Sequence, residues 1–169
     1  IRVTDLVRDT ALRRQVQRPT GRVLVAVAHG AGTAALLDAS GAIAAVMTNP
    51  ARRANLVAQI IQVISADSYA HGVSLDLEFS WGPTVRDGVT EFCRELRAAM
   101  DALDPALELS IYTNAIYSAD QWDFDALTGI TPSIDYMLYS MYDWASGQTP
   151  RAISDFDSCL GSNRMHAYL

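Results

Sequence analysis

The sequence predicts an α/β fold built on a parallel β-sheet, and three observations carry that prediction. Strand-like stretches alternate with helix-like ones in the order strand, helix, strand, helix, strand, helix, strand. Each intervening stretch is long enough for the right-handed crossover that joins parallel neighbours. Polar side chains also collect where successive strands end: Asp76 and Glu78 on one, Asn114 on the next, Tyr142 and Asp143 on the last. Both the closed (β/α)8 barrel and the open doubly wound sheet put their sites at the carboxyl ends of parallel strands. Composition does not choose between them.

Residues 3 to 18 carry Val3, Leu6, Val7, Leu12 and Val16 at helical spacing, with Arg8, Arg13, Arg14 and Arg18 as solvated surface charges. The run Arg-Val-Leu-Val-Ala-Val-Ala over 22–28 is continuously small and β-branched, the pattern of a strand buried on both faces. His29-Gly30-Ala31-Gly32 makes a loop that is neither GxGxxG nor a P-loop, so no phosphate function attaches to it. Residues 33 to 47 read as one or two short helices broken at Ser40-Gly41. Asn49 and Pro50 form a helix start, and Leu56, Val57, Ile60, Ile61 and Ile64 give that helix its apolar stripe.

The strand at 71–78 alternates strictly: Val73, Leu75 and Leu77 on one face, Ser74, Asp76 and Glu78 on the other. Gly82-Pro83-Thr84 then punctuates the chain, and Thr84 with Asp87 forms a capping-box pattern before a second amphipathic helix. Its stripe is Val85, Val89, Phe92, Cys93, Leu96, Met100 and Leu103, which makes Cys93 a buried thiol rather than half of a disulfide with Cys159. Leu107 to Asn114 reads as a third strand, Ala119 to Leu127 as a short helix, and Ile134 to Asp143 as a fourth strand. The chain starts at Ile1 with no charged-then-apolar leader and reaches Leu169 in what reads as a helix, so a fragment is expected.

The 169 residues are enough for one domain with a real core, half of them apolar. A net charge of −6 with no basic run or basic helix argues against nucleic acid and anionic membrane as main partners. No apolar run approaches the ~18 residues of a membrane span.

Asp76 and Glu78 have Cα atoms ~6 to 7 Å apart on one strand face. One carboxylate then raises the pKa of the other, which makes Glu78 a candidate general acid. The same geometry works against the pair as acid and nucleophile of a standard two-carboxylate glycosidase, since those groups approach a sugar from opposite sides. A nucleophile must come from another strand or from the substrate. A competing reading has Asp76, Glu78 and Asp143 holding Mg²⁺ in a metal-dependent α/β hydrolase.

These residues carry a resemblance. Residues 71–78 are similar to the strand motif of glycoside hydrolase family 18, the chitinases and their relatives, usually Asp-Gly-x-Asp-x-Asp-x-Glu. Gly72, Asp76 and Glu78 match, while His71 and Ser74 stand in place of two aspartates. Ile134-Asp135-Tyr136 followed by Tyr142-Asp143-Trp144 resembles a later strand of the family ending Met-x-Tyr-Asp-Phe/Trp, with Ser140 in the Met position. Val23 to Gly30 resembles a strand reading Val-Leu-Leu-Ser-Ile-Gly-Gly, with Ala28 and His29 for the glycines.

The resemblance implies a (β/α)8 TIM barrel, of which residues 1–169 would be a single partial catalytic domain covering about strands three to six, truncated at both ends. It implies a retaining hydrolase of β-1,4-linked N-acetylglucosamine glycans, secreted, with no cofactor and no catalytic metal. Glu78 would be the acid, Asp76 would orient the substrate's N-acetyl group, and Tyr142 would hydrogen-bond it. Asp143 would hold the distorted sugar, and the substrate's own acetamido carbonyl would be the nucleophile. Ser74 and Asn114 share the substrate-binding face. Trp81 is either a sugar-stacking platform or an ordinary loop aromatic. Ser74 cannot take the charge that an aspartate there would share with Asp76, and His71, at the far end of the strand, reads as a packed or capping residue. A chitinase-like lectin that has lost activity is the alternative function, and Glu78 argues against it because such lectins usually lack that acid.

Overall fold

The computed structural model describes residues 22–29, 39–77, 82–114, 122–128, 131–140 and 165–168. Among them are five strands, β1 (Leu24–His29), β2 (Gly72–Leu77), β3 (Glu108–Asn114), β4 (Tyr136–Ser140) and β5 (Met165–Tyr168). The helices are α1 (Ala39–Met47), α2 (Pro50–Ala66), α3 (Pro83–Leu103) and α4 (Phe124–Thr128). The strands form one parallel sheet in the order β1-β2-β3-β4-β5.

That order decides between the two architectures left open by composition. A doubly wound sheet reverses direction at a switch point and so covers both faces with helices. Here each strand is added beside the last with no reversal, so right-handed crossovers put the helices on one face. Burial agrees. Val25 and Val27 of β1, Val73, Leu75 and Leu77 of β2, and Leu109 and Ile111 of β3 form one core with Ile60, Phe92, Leu96 and Met100 of the helices. On the opposite face Ala26 and Ala28 are exposed, and Ser74 and Asp76 are half-buried. The winding is that of a (β/α) barrel, whose helix-free face is its interior.

Local sequence accounts for most boundaries. Asn49 caps α2, its Oδ1 accepting from the Arg52 amide at 3.1 Å, with Pro50 in the first turn. Arg53, 9% exposed, ties three helices together: its guanidinium donates twice to Glu95 of α3 and through Nη1 to the Met47 carbonyl of α1 at 2.7 Å. Asp135 ties β4 to β3, its Oδ2 accepting from the Leu109 amide at 2.7 Å and from Arg97 at 3.1 Å.

Several expectations are corrected. The C-terminal stretch holds a strand, β5, paired in parallel with β4 from Met137↔Met165 to Ser140↔Tyr168. Four residues are too few for alternation to declare itself against a helical reading. Helix α1 begins at Ala39, which puts Ser40-Gly41 in its first turn, and residues 33 to 38 lie outside the described residues. Ile43 and Met47 bury that helix against the core, worth roughly 1.5–3 kcal/mol each. The Thr84–Asp87 capping box does not form: α3 starts at Pro83 with Gly82 as N-cap and no side-chain cap. Proline, lacking an amide hydrogen, takes the first helical position and leaves Thr84 inside the helix. Strand β1 is buried on one face only. Residues 3–18 and Gly30 to Gly32 lie outside the described residues.

Candidate active site

The parallel register arranges the helix-free face of the sheet in cross-strand rows, since partners in a ladder share a face. Nearest the amino ends, Leu24, Gly72 and Glu108 are aligned. The next row is Ala26, Ser74, Ser110 and Tyr136. Above it run Ala28, Asp76, Tyr112, Leu138 and His166, and at the carboxyl ends Asn114, Ser140 and Tyr168.

Strand β2 lies second in the sheet and places Ser74 and Asp76 on that face, as alternation predicts, with burial alternating beneath them. The Asp76 Oδ1 oxygen is shut off from solvent although the residue as a whole is half-buried. Ser110, at 0% exposure beside Ser74, has a hydroxyl with no hydrogen-bond partner among the described residues. Gly72 has a physical reason to be glycine. Its φ is +157°, and a Cβ there would collide with the Glu108 carbonyl of β3. The two strands approach too closely at that row for any side chain.

His71 is a tie between strands at the amino end. Its Nδ1 accepts from the Val23 amide at 3.1 Å, its own amide donates to the Val23 carbonyl at 2.7 Å, and its carbonyl accepts from the Glu108 amide at 2.9 Å. That is the packed role read from the sequence. Asn114 ends β3 opposite Ser140, at the carboxyl end where the site was expected. Glu78, Trp81, Tyr142 and Asp143 lie outside the described residues, with Glu78 directly following the last residue of β2.

Sequence reading left Tyr112 unassigned and missed Ser110, yet both follow from alternation once Leu109 and Ile111 are put on the helix side. Trp122, also unassigned, packs in the core at 1% exposure. Among the described residues no group of three His, Cys, Asp or Glu is placed to hold a metal ion.

A singly wound parallel sheet with its helices on one face defines a class by fold, the (β/α) barrels, in which sites lie at the carboxyl ends of the strands. No protein-family model matches the sequence and no curated protein matches it. Solved structures narrow the fold to that of the chitinase-type barrels of glycoside hydrolase family 18. A Bacillus subtilis protein assigned as a sporulation-specific glycosylase superposes with a TM-score of 0.74 at 22% identity, over 96% of this chain and 57% of its own. A chitinase-like agglutinin from Robinia pseudoacacia gives 0.69 at 20% identity, over 89% and 51%. A family 18 chitinase from Cycas revoluta, solved with (GlcNAc)3, gives 0.67 at 16% identity, over 92% and 51%. The chain thus spans little more than half the length of these structures.

Proposed function

We propose that the whole protein is a retaining glycoside hydrolase of family 18 that cleaves β-1,4-linked N-acetylglucosamine glycans, chitin or a related polymer, outside the cell. Residues 1–169 are, on this reading, part of its catalytic barrel. The observation that carries the proposal is Asp76, half-buried on the helix-free face near the carboxyl end of β2. The chitinase-type fold supports it, as does the sequence around the strand, which supplies Glu78 at the alternation spacing.

The chemistry follows from one-sided carboxylates. Glu78 gives its proton to the glycosidic oxygen as the bond to the anomeric carbon breaks. Asp76 and Tyr142 hold the N-acetyl group of the same sugar so that its carbonyl oxygen attacks that carbon from the opposite side. A bicyclic oxazolinium forms, its positive charge balanced by Asp76. Glu78, now ionised, takes a proton from water, which opens the ring with overall retention. The protein nucleophile that β2 cannot provide is not required. Asp143, Ser74, Asn114 and Trp81 complete the sugar-binding surface on this reading.

The test is turnover of a chito-oligosaccharide by the whole protein, with the product anomer read by NMR. The β-anomer is expected first. Glu78→Gln is expected to reduce kcat by at least ~10³-fold, the scale of losing a general acid and base, while oligosaccharide binding persists. Failure of the wild-type protein to release product from any N-acetylglucosamine glycan overturns the enzyme reading.

A lectin function is the second reading, favoured by the agglutinin among the similar structures. Binding of chito-oligosaccharide without turnover identifies it. A metal-dependent hydrolase is separated by a chelator, which leaves substrate-assisted chemistry unaffected.

A further inference from the structure

Ser110 of β3 is fully buried, at 0% exposure, and lies on the helix-free face because its neighbours Leu109 and Ile111 belong to the core. Its hydroxyl has no hydrogen-bond partner among the described residues. Leaving a buried hydroxyl unmet is costly, and most native ones are satisfied by protein or by an ordered water. The surroundings suit a water. The register partner Ser74 is as small, and Ala26 follows on β1, so three adjacent strands place nothing larger than serine in this row. Inward positions of such barrels are mostly filled by bulky branched side chains. A polar, roomy interior with two or more partners is where proteins keep internal water. A second partner lies one row up. Asp76 is two residues beyond Ser74 on β2, with its Oδ1 shut off from solvent. A strand spacing of about 4.8 Å and a two-residue rise of about 6.6 Å put the Ser110 and Asp76 Cα atoms roughly 8 Å apart. Side chains that stand up from the sheet then meet through one bridging water rather than directly.

We propose that Ser110 is a positioning residue for Asp76, acting through one buried water shared by its hydroxyl and the Asp76 carboxylate. The last torsion of an aspartate side chain is soft. A bridge to the inner oxygen fixes that torsion and aims the outer oxygen at the N-acetyl group. The benefit falls on the bond-breaking step, when charge develops next to the carboxylate, rather than on ground-state binding. This rests on the glycan reading above and deepens it, by giving a role to a strand that the sequence motifs do not mark.

The experiment uses the whole protein with chitotetraose as substrate. Ser110→Ala is expected to lower kcat by about tenfold, the scale of one hydrogen bond to a charged group, with KM changed less than about twofold. Ser110→Thr, which keeps the hydroxyl in a row with room for a methyl group, is expected to retain most of the activity. A crystal structure of the whole protein reads the same site without turnover. An ordered water within hydrogen-bond distance of the Ser110 Oγ and an Asp76 oxygen is expected, and its loss in Ser110→Ala. Unchanged kcat in Ser110→Ala, a loss carried by KM instead, or a Ser110 hydroxyl bonded only to protein groups overturns this proposal, while wild-type turnover leaves the glycan reading standing. An ordered water at Ser110 and Asp76 in a protein that releases no product from any N-acetylglucosamine glycan keeps the water site. It overturns the glycan reading and, with it, the catalytic role given to the water.

Discussion

Cys93 shows how far a single side chain is governed by its surroundings. It has no exposed surface, and burial in the core pushes its thiol up from 9.0 to about 12, against a smaller opposing pull from Arg94. A folded-state pKa above the unfolded one means that the native state holds its proton longer. The stabilisation is therefore complete below pH 9 and is lost as pH rises from 9 toward 12. The chain contains no lysine, which leaves few other side chains to compete with that signal, and comparison with Cys93→Ala removes what they share. Urea denaturation on both sides of pH 9 is expected to show stability falling more steeply with pH in the wild type than in Cys93→Ala. Cys93 is also expected to resist thiol reagents in the native protein until it unfolds, read by mass spectrometry of the labelled peptide. Equal slopes in the two proteins contradict this. Burial of Cys93 was legible from the helical stripe. The bond between His71 and the Val23 amide was not, because it joins residues 48 apart and no local pattern encodes the partner. Asp135 is similar. It lies next to the Tyr136 start of β4 and matches part of a sequence motif, but its structural work is to accept from the Leu109 amide and Arg97. Asp135→Ala removes both bonds and is expected to cost about 1–3 kcal/mol in chemical denaturation, with Asp135→Asn losing less because its amide oxygen still accepts from Leu109.

At the scale of elements, the legible features were those whose signal repeats along the chain. The stripe of α3 recurs over 21 residues and the alternation of β2 over 6, so both were read correctly except at Leu103, which ends α3 at 44% exposure instead of joining the core. The ends were less legible where two local rules competed, as at Pro83 and Thr84. The contact between α1 and α3 was not legible at all. Gly88 of α3 is buried so close to the end of α1 that a Cβ would collide with the Met47 carbonyl. In an open helix Gly→Ala gains up to ~1 kcal/mol, whereas overpacking a well-filled contact costs about 1–3 kcal/mol. Gly88→Ala is accordingly expected to destabilise by roughly 1–2 kcal/mol, read as a lowered Tm. A raised Tm shows that the two helices have slack.

For the molecule as a whole, fold class was legible because alternating strands and helices permit few topologies, and the order of strands settled what composition left open. The fifth strand extends that order past β4, so a segment read as helix belongs to the sheet. The same sheet carries a liability. Among the described residues β1 pairs only with β2, and β5 only with β4, so each has one edge without a strand partner. Unpaired parallel edges recruit other chains, and the exposed Ala26 and Ala28 give the helix-free face little protection against that. Closure into a barrel removes both problems at once, by joining the edges and turning that face inward. Residues 1–169 expressed alone are therefore expected to sediment as oligomers whose size rises with concentration, and to unfold over a broad range without measurable chito-oligosaccharide turnover. Sedimentation as a monomer with one sharp melting transition overturns this, and means that the edges are covered by residues outside those described.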